Sequence, residues 1–151
     1  MAVHELRPVT AMNKPGAAQV AWARRLLAAE GSSGDEAEAC AAAAGRVYEK
    51  LNAQLSPLLG SAGVQALFVR SAKVAQREFA SLAEIVTPDG LTKLGARLRG
   101  LEPAVATEAA ATLFGSFIEL ITTFIGERLA VLVLRNAWPT IEDMSLTETK
   151  K

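Results

Sequence analysis

The strongest pattern in the chain lies in its last third, EPAVATEAAATLFGSFIELITTFIGERLAVLVLRNAWP, residues 102–139. Pro103 suits a first helical turn, where a missing N–H costs nothing, and Pro139 marks a stop. Between them Glu108, Thr112, Ser116, Glu119, Thr123 and Glu127 recur at spacings of 4, 4, 3, 4 and 4. At about 100° per residue they form one narrow polar stripe, and most of the remaining circumference is apolar. The pattern predicts one helix of about 35 residues, hence about 52 Å long. A compact domain of this chain length is only about 40 Å across. The helix must therefore kink, protrude or be covered by a second subunit. Gly115 and Gly126 lie 11 residues apart, on nearly the same face. Close approach of a neighbouring helix at both glycines is preferred over kinking. A membrane span is not expected. The charge-free stretches 109–118, 120–126 and 129–134 fall short of the roughly 20 apolar residues needed, and Glu119 and Glu127 would sit near the bilayer centre.

Helical spacing recurs upstream. Val20, Ala23 and Leu27 share a face over 17–30, and Gly31 follows as a natural C′ residue. Ser33 with Glu36 reads as a capping box for a second helix reaching about Gln54, with Cys40, Ala44, Val47, Leu51 and Leu55 as its buried stripe. Ser56 and Pro57 predict an N-cap and N1 proline opening one short turn that ends at Gly60. Ser61 is expected to cap a third long helix, to about Ile85, with Val64, Leu67, Phe68, Ala75, Phe79 and Leu82 inward. Thr87-Pro88-Asp89-Gly90 predicts a turn or capped start. Leu91, Leu94, Leu98 and Leu101 then give a short helix interrupted by Gly95 and Gly100. Residues 1–15 read as a loose arm and 140–151 as a polar tail. The expected fold is an all-α, single-domain antiparallel helical bundle over 16–139, with four long and one or two short helices.

Composition narrows the chemistry. Half of the residues are hydrophobic, many of them alanine, and aromatics make up 5%, which favours helices packed closely through small side chains. Lys plus Arg and Asp plus Glu balance at 16 each, so no global field directs the chain to nucleic acid or anionic lipid. Cys40 is the sole cysteine, expected as a small buried hydrophobe, and forms no intramolecular disulfide. The N-terminus lacks an apolar secretion segment, so the cytoplasm is the expected location. With His4 the only histidine, a Glu-x-x-His di-iron pair is absent, and a Ser-His or Cys-His mechanism would have to recruit the arm. No phosphate-cradling glycine loop occurs. No catalytic residue, metal or cofactor is expected.

Three groups of residues remain as candidates. Glu119 and Glu127, with Arg128 and Arg135, form a possible polar site. Paired carboxyls can do acid–base work if burial raises one pKa, although the simpler expectation is that the stripe is the helix's solvated side. Arg70, Lys73 and Arg77 share a helix face that suits an anion or an acidic partner helix, without the basic excess of a nucleic-acid binder. Trp22, Tyr48 and Trp138 suit core edges or interfaces, and Trp138 is expected to fold back onto the helices. The stretches LSPLLGSAGVQALFVRSAKVAQREF and TTFIGERLAVLVLRNAWP resemble parts of a family of small all-helical bacterial proteins with no assigned activity. The resemblance implies a soluble, helical, bacterial protein and carries no catalytic residues. The third group is the apolar face Phe114, Phe117, Ile121, Phe124, Ile125 and Leu132. It points to a non-enzymatic interaction module that self-associates as a dimer, by analogy an adaptor or regulator in signalling. The alternative is a small-molecule or lipid sensor with a pocket beside Ala109, Ala110, Ala111 and Gly115, where Glu119 or Arg128 would orient a polar end.

Overall fold

A single residue divides the long apolar pattern. In the computed structural model, which describes residues 17–31, 37–80, 82 and 90–139, Gly126 adopts φ 90° and ψ 154°. Side chains are strained in that region, and glycine is not. The Gly126 N–H donates to the Thr122 carbonyl at 2.8 Å, and the Gly126 carbonyl accepts from the Ala130 N–H at 3.0 Å. One helix ends and another begins on the same residue. The helices in chain order are α1 (Ala17–Ala29), α2 (Ala37–Leu59), α3 (Ser61–Ala75), α4 (Gly90–Arg99), α5 (Pro103–Ile125) and α6 (Glu127–Ala137). The protein is all-α, with no strand among the described residues. The expected single C-terminal helix is thus corrected to two, of 23 and 11 residues, or about 34 Å and 16 Å. The conflict between helix length and domain diameter disappears.

Two further boundaries depart from expectation for reasons outside local sequence. Helix α2 continues through Pro57 instead of stopping before it. Leu51 and Leu55 are fully buried and Leu59 packs on the core, so the stripe at fourfold spacing keeps its burial to the end of the helix. One lost backbone hydrogen bond near a helix end costs less than exposing Leu59. Ser56 does not cap; its hydroxyl donates to Asn52 Oδ1 at 2.9 Å. Gly60, with φ 81°, ends α2 and is also the N-cap of α3, without a side-chain cap. Ser61 is therefore the first helical residue and not the cap. Helix α3 stops at Ala75, ten residues early, and Gln76–Glu78 form a turn that still returns Leu82 to the core. Gly31, with φ 109°, follows α1 as expected. The arm over 1–15, the capping box at Ser33 and Glu36, the turn at 87–89 and the tail over 140–151 lie outside the described residues.

Helix α5 contacts every other described helix. Its ten consecutive residues 109–118 are all buried, so it is an inside helix and not an amphipathic one. By length and composition α5 is apolar enough to cross a membrane, yet 67% of its most apolar window is buried in the fold. Small residues admit α1 on one side. A Cβ at Gly115 would stand 3.0 Å from Val20 Cγ2 and 3.1 Å from Val20 Cα. Further along, Arg24 donates to both carboxylate oxygens of Glu108, at 2.8 and 3.2 Å. Val20 meeting Gly115 while Arg24 meets Glu108 makes α1 antiparallel to α5. Large rings fill the other side: Phe68 on α3 lies 6.4 Å from Phe114, 6.3 Å from Phe117 and 5.0 Å from Tyr48 on α2, centroid to centroid. The polar stripe is thus not simply a solvated side. Thr112 and Ser116 are buried, Glu108 is half-exposed in its contact with Arg24, and Glu119, Thr123 and Glu127 emerge. Gly115 is a place of close approach, as expected, whereas Gly126 is a break.

The same substitution should act with opposite sign at two helical glycines. Gly115→Ala presses a methyl against α1 backbone and should cost about 1–3 kcal/mol. Gly45→Ala in α2 meets nothing within 4 Å and should add about 0.5–1 kcal/mol through helix propensity. Chemical denaturation of both variants checks this; equal shifts would mean that α1 does not seat on Gly115.

Candidate functional site

Where α2, α3 and α5 meet, an apolar groove of about 530 Å³ opens to solvent. Leu59 contributes from the end of α2, Phe124 from the last turn of α5, and Gly63, Ala66, Leu67, Val69, Arg70 and Lys73 from α3. Local sequence explains this lining. Gly60 alone links α2 to α3, so Leu59 lies at the start of α3. Gly63, Ala66, Arg70 and Lys73 recur at spacings of 3, 4 and 3 and therefore share one face. Gly63 and Ala66 keep the floor low. Phe124 stands only two residues before the break at Gly126, so no further helical turn covers it, and its ring is 64% exposed.

The groove carries positive charge at one end. Arg70 and Lys73 are exposed, and among the described residues neither has an ion-pair partner. At a spacing of three on a helix their side chains are neighbours. Together they can hold an anion while the leucine, valine and phenylalanine surfaces cover an apolar body. The structure joins two groups that the sequence kept apart: Phe124 from the apolar face and Arg70 with Lys73 from the cationic face.

The remaining expected site residues are distributed differently. Phe114, Phe117 and Ile121 are buried in their own chain, which corrects their assignment to an intersubunit face: α2 and α3 already cover them. Ile125 packs partly buried on the core, and Leu132 on α6 is 51% exposed. Arg77 falls in the turn after α3 and does not line the groove. Glu119 is half-buried, while Glu127, Arg128 and Arg135 are exposed, and the carboxylate held by a two-point arginine contact is Glu108. The pocket expected beside Ala109–Ala111 is also corrected, because Ala109, Ala110, Ala111, Phe114 and Phe117 retain no accessible surface. Among the described residues no three His, Cys, Asp or Glu side chains converge on a metal-sized site. Sequence reasoning missed Leu59, Gly63, Ala66 and Val69. Their one signal was the small pair Gly63 and Ala66 on the helix face that continues to Arg70 and Lys73.

A second polar cluster, not anticipated either, closes another part of the molecule. The Glu30 side chain is 8% exposed, with Lys50 Nζ 2.6 Å from Oε2 and Arg46 Nε 3.5 Å from Oε1. Trp138 Nε1 donates to Oε2 at 2.8 Å, and Lys50 Nζ lies 5.6 Å from the Trp138 ring centroid. Arg46 also donates to the Glu30 main-chain carbonyl. Trp138 does fold back, and it does so onto a carboxylate that ties the ends of α1 and α6 to α2. Burial pushes the Glu30 carboxyl up, but hydrogen bonds from Lys50 and Trp138 and the charges of Lys50 and Arg46 outweigh it, leaving the pKa below its ordinary 4.5.

A carboxyl whose pKa falls on folding contributes stability that is complete above its unfolded value and is lost as pH drops through the folded one. Unfolding free energy should therefore fall below about pH 4.5, with Trp138 emission shifting as its acceptor is protonated. Glu30→Gln should lower stability at neutral pH and flatten that acid limb; an unchanged limb would mean that Glu30 is not held ionised by its neighbours. Neither a family model, nor a curated protein, nor a solved structure matches this chain, so the reading of function rests on the groove and its chemistry.

Proposed function

We propose that the protein is a non-enzymatic binding module, a sensor whose working surface is the groove between α2, α3 and α5. One observation carries this reading: a phenylalanine ring, Phe124, stands 64% exposed on the wall of an apolar groove of about 530 Å³. Full burial of such a ring is worth about 1.5–3 kcal/mol, so a ligand covering it gains much of that. The volume falls in the range of small-molecule sites, which combine apolar walls with a few convergent polar groups. Arg70 and Lys73 are those groups here.

Self-association as a dimer is the second reading, and it has its own support. Phe124 is 64% and Leu132 51% exposed, on the helices that flank Gly126. A twofold contact across that end would cover both. The residues that first suggested a dimer, Phe114, Phe117 and Ile121, no longer support it because the fold uses them.

Native mass spectrometry of freshly purified protein separates the readings. A monomer carrying an added mass that Phe124→Asp removes, with helicity unchanged, supports the binding module. A dimer of bare mass that both Phe124→Asp and Leu132→Asp dissociate supports self-association. A bare monomer that takes up no apolar compound would sink both.

A further inference from the structure

The groove is polar at one end and apolar at the other. Leu59, Gly63, Ala66, Leu67 and Val69 come first along the chain, and Arg70 and Lys73 follow. From Gly63 to Lys73 the helix rises about 15 Å. An amphipathic helix separates polar from apolar residues around its axis, and a groove built for one has charges along its rims. Here the separation runs end to end. A molecule with an apolar tail and an anionic head has that same polarity.

Resting on the reading of the groove as the working site, we infer that it takes a free single-chain anionic amphiphile. The phosphate or carboxylate head sits at Arg70 and Lys73, and the chain runs over Ala66 and Gly63 toward Leu59, under Phe124. The state of the cations supports the head group. Arg24, Arg46, Lys50 and Arg99 each have a carboxylate of this chain within ion-pair distance. Arg70 and Lys73 have none among the described residues; Arg77 and Arg128 have none either, but they do not line the groove. The floor supports the tail. Gly63 and Ala66 project almost nothing into the groove, which Leu59, Val69 and Phe124 also line. A bilayer surface is a poorer occupant. Among the described residues only Leu58, Val105, Phe124 and Leu132 are large exposed apolar side chains, and the one long apolar helix, α5, is committed to the core.

Isothermal titration calorimetry with decyl phosphate, decanoate, decanol and butyl phosphate, all below micelle-forming concentrations, tests the inference. Decyl phosphate and decanoate should bind, with decanol about tenfold weaker, the difference expected for losing a charge-assisted contact. Butyl phosphate should lose on the order of twofold to fourfold per methylene removed. The double variant Arg70→Gln with Lys73→Gln changes exposed side chains and should keep its melting temperature, while decyl phosphate drops to the affinity of decanol. Ala66→Phe, which fills the groove and leaves both cations in place, should abolish binding of every chain. If decanol matches decyl phosphate, or the double variant binds as the wild type does, the head-group inference fails while the binding-module reading survives. If none of the four binds, both fail. Co-sedimentation with phosphatidylglycerol vesicles without binding of soluble decyl phosphate would overturn the commitment to a free amphiphile.

Discussion

Everything in this fold depends on burying α5 around its whole circumference. The helix carries small residues toward α1 and large rings toward α2 and α3. Val20 backbone lies in contact range of Gly115, so α1 approaches closely enough that even a Cβ there would press on it. Phe114 and Phe117 on the other side reach Phe68 and Tyr48. Neither half suffices alone. Without α1 the face around Gly115 would be wet, and without the rings α2 and α3 would have nothing large to close upon. Close packing of this kind makes the core intolerant of a single added methyl on the α1 side and of any truncation on the aromatic side.

The break at Gly126 follows from the same constraint and creates the groove. A continuous helix over 103–137 would carry its apolar surface beyond the core that the other helices supply. A glycine with positive φ redirects the chain, and α6 returns along α2 until Trp138 reaches Glu30. Ending α5 there leaves Phe124 at a terminus, exposed and next to the α2–α3 junction. The exposed ring is thus a consequence of how the core is finished, placed beside a helix face that happens to end in two cations.

Much of this was legible in the residues. Helical periodicity identified α1, α2, α3, α4 and α5, the inward faces of the first three and Gly31 as a stop, because those features depend on neighbours within one or two turns. Pro57 misled because its local meaning, a helix start, was overruled by the packing of Leu59 on the core one turn beyond Leu55. Gly126 and Gly115 looked alike because a glycine can serve either by having no Cβ or by taking a positive φ, and only the surrounding chain decides which. The polar stripe looked like a wet face because nothing in its spacing shows that α1, nearly ninety positions away, supplies Arg24 to Glu108.

The groove illustrates the limit most sharply. Arg70 and Lys73 look like an ordinary solvated helix face, and by periodicity alone they are one. What changes their meaning is Phe124, more than fifty residues away, which no spacing rule connects to them. Exposed cations are well solvated by water, and an exposed ring is a modest cost; each is common on protein surfaces. Their juxtaposition is less easily satisfied by water. Water that hydrates the ring gains by leaving, while the cations need something anionic or aqueous to remain. A molecule that is apolar along its length and anionic at its end would meet both demands at once, and the conjunction of ring and cations, more than either surface alone, sets this end of the fold apart.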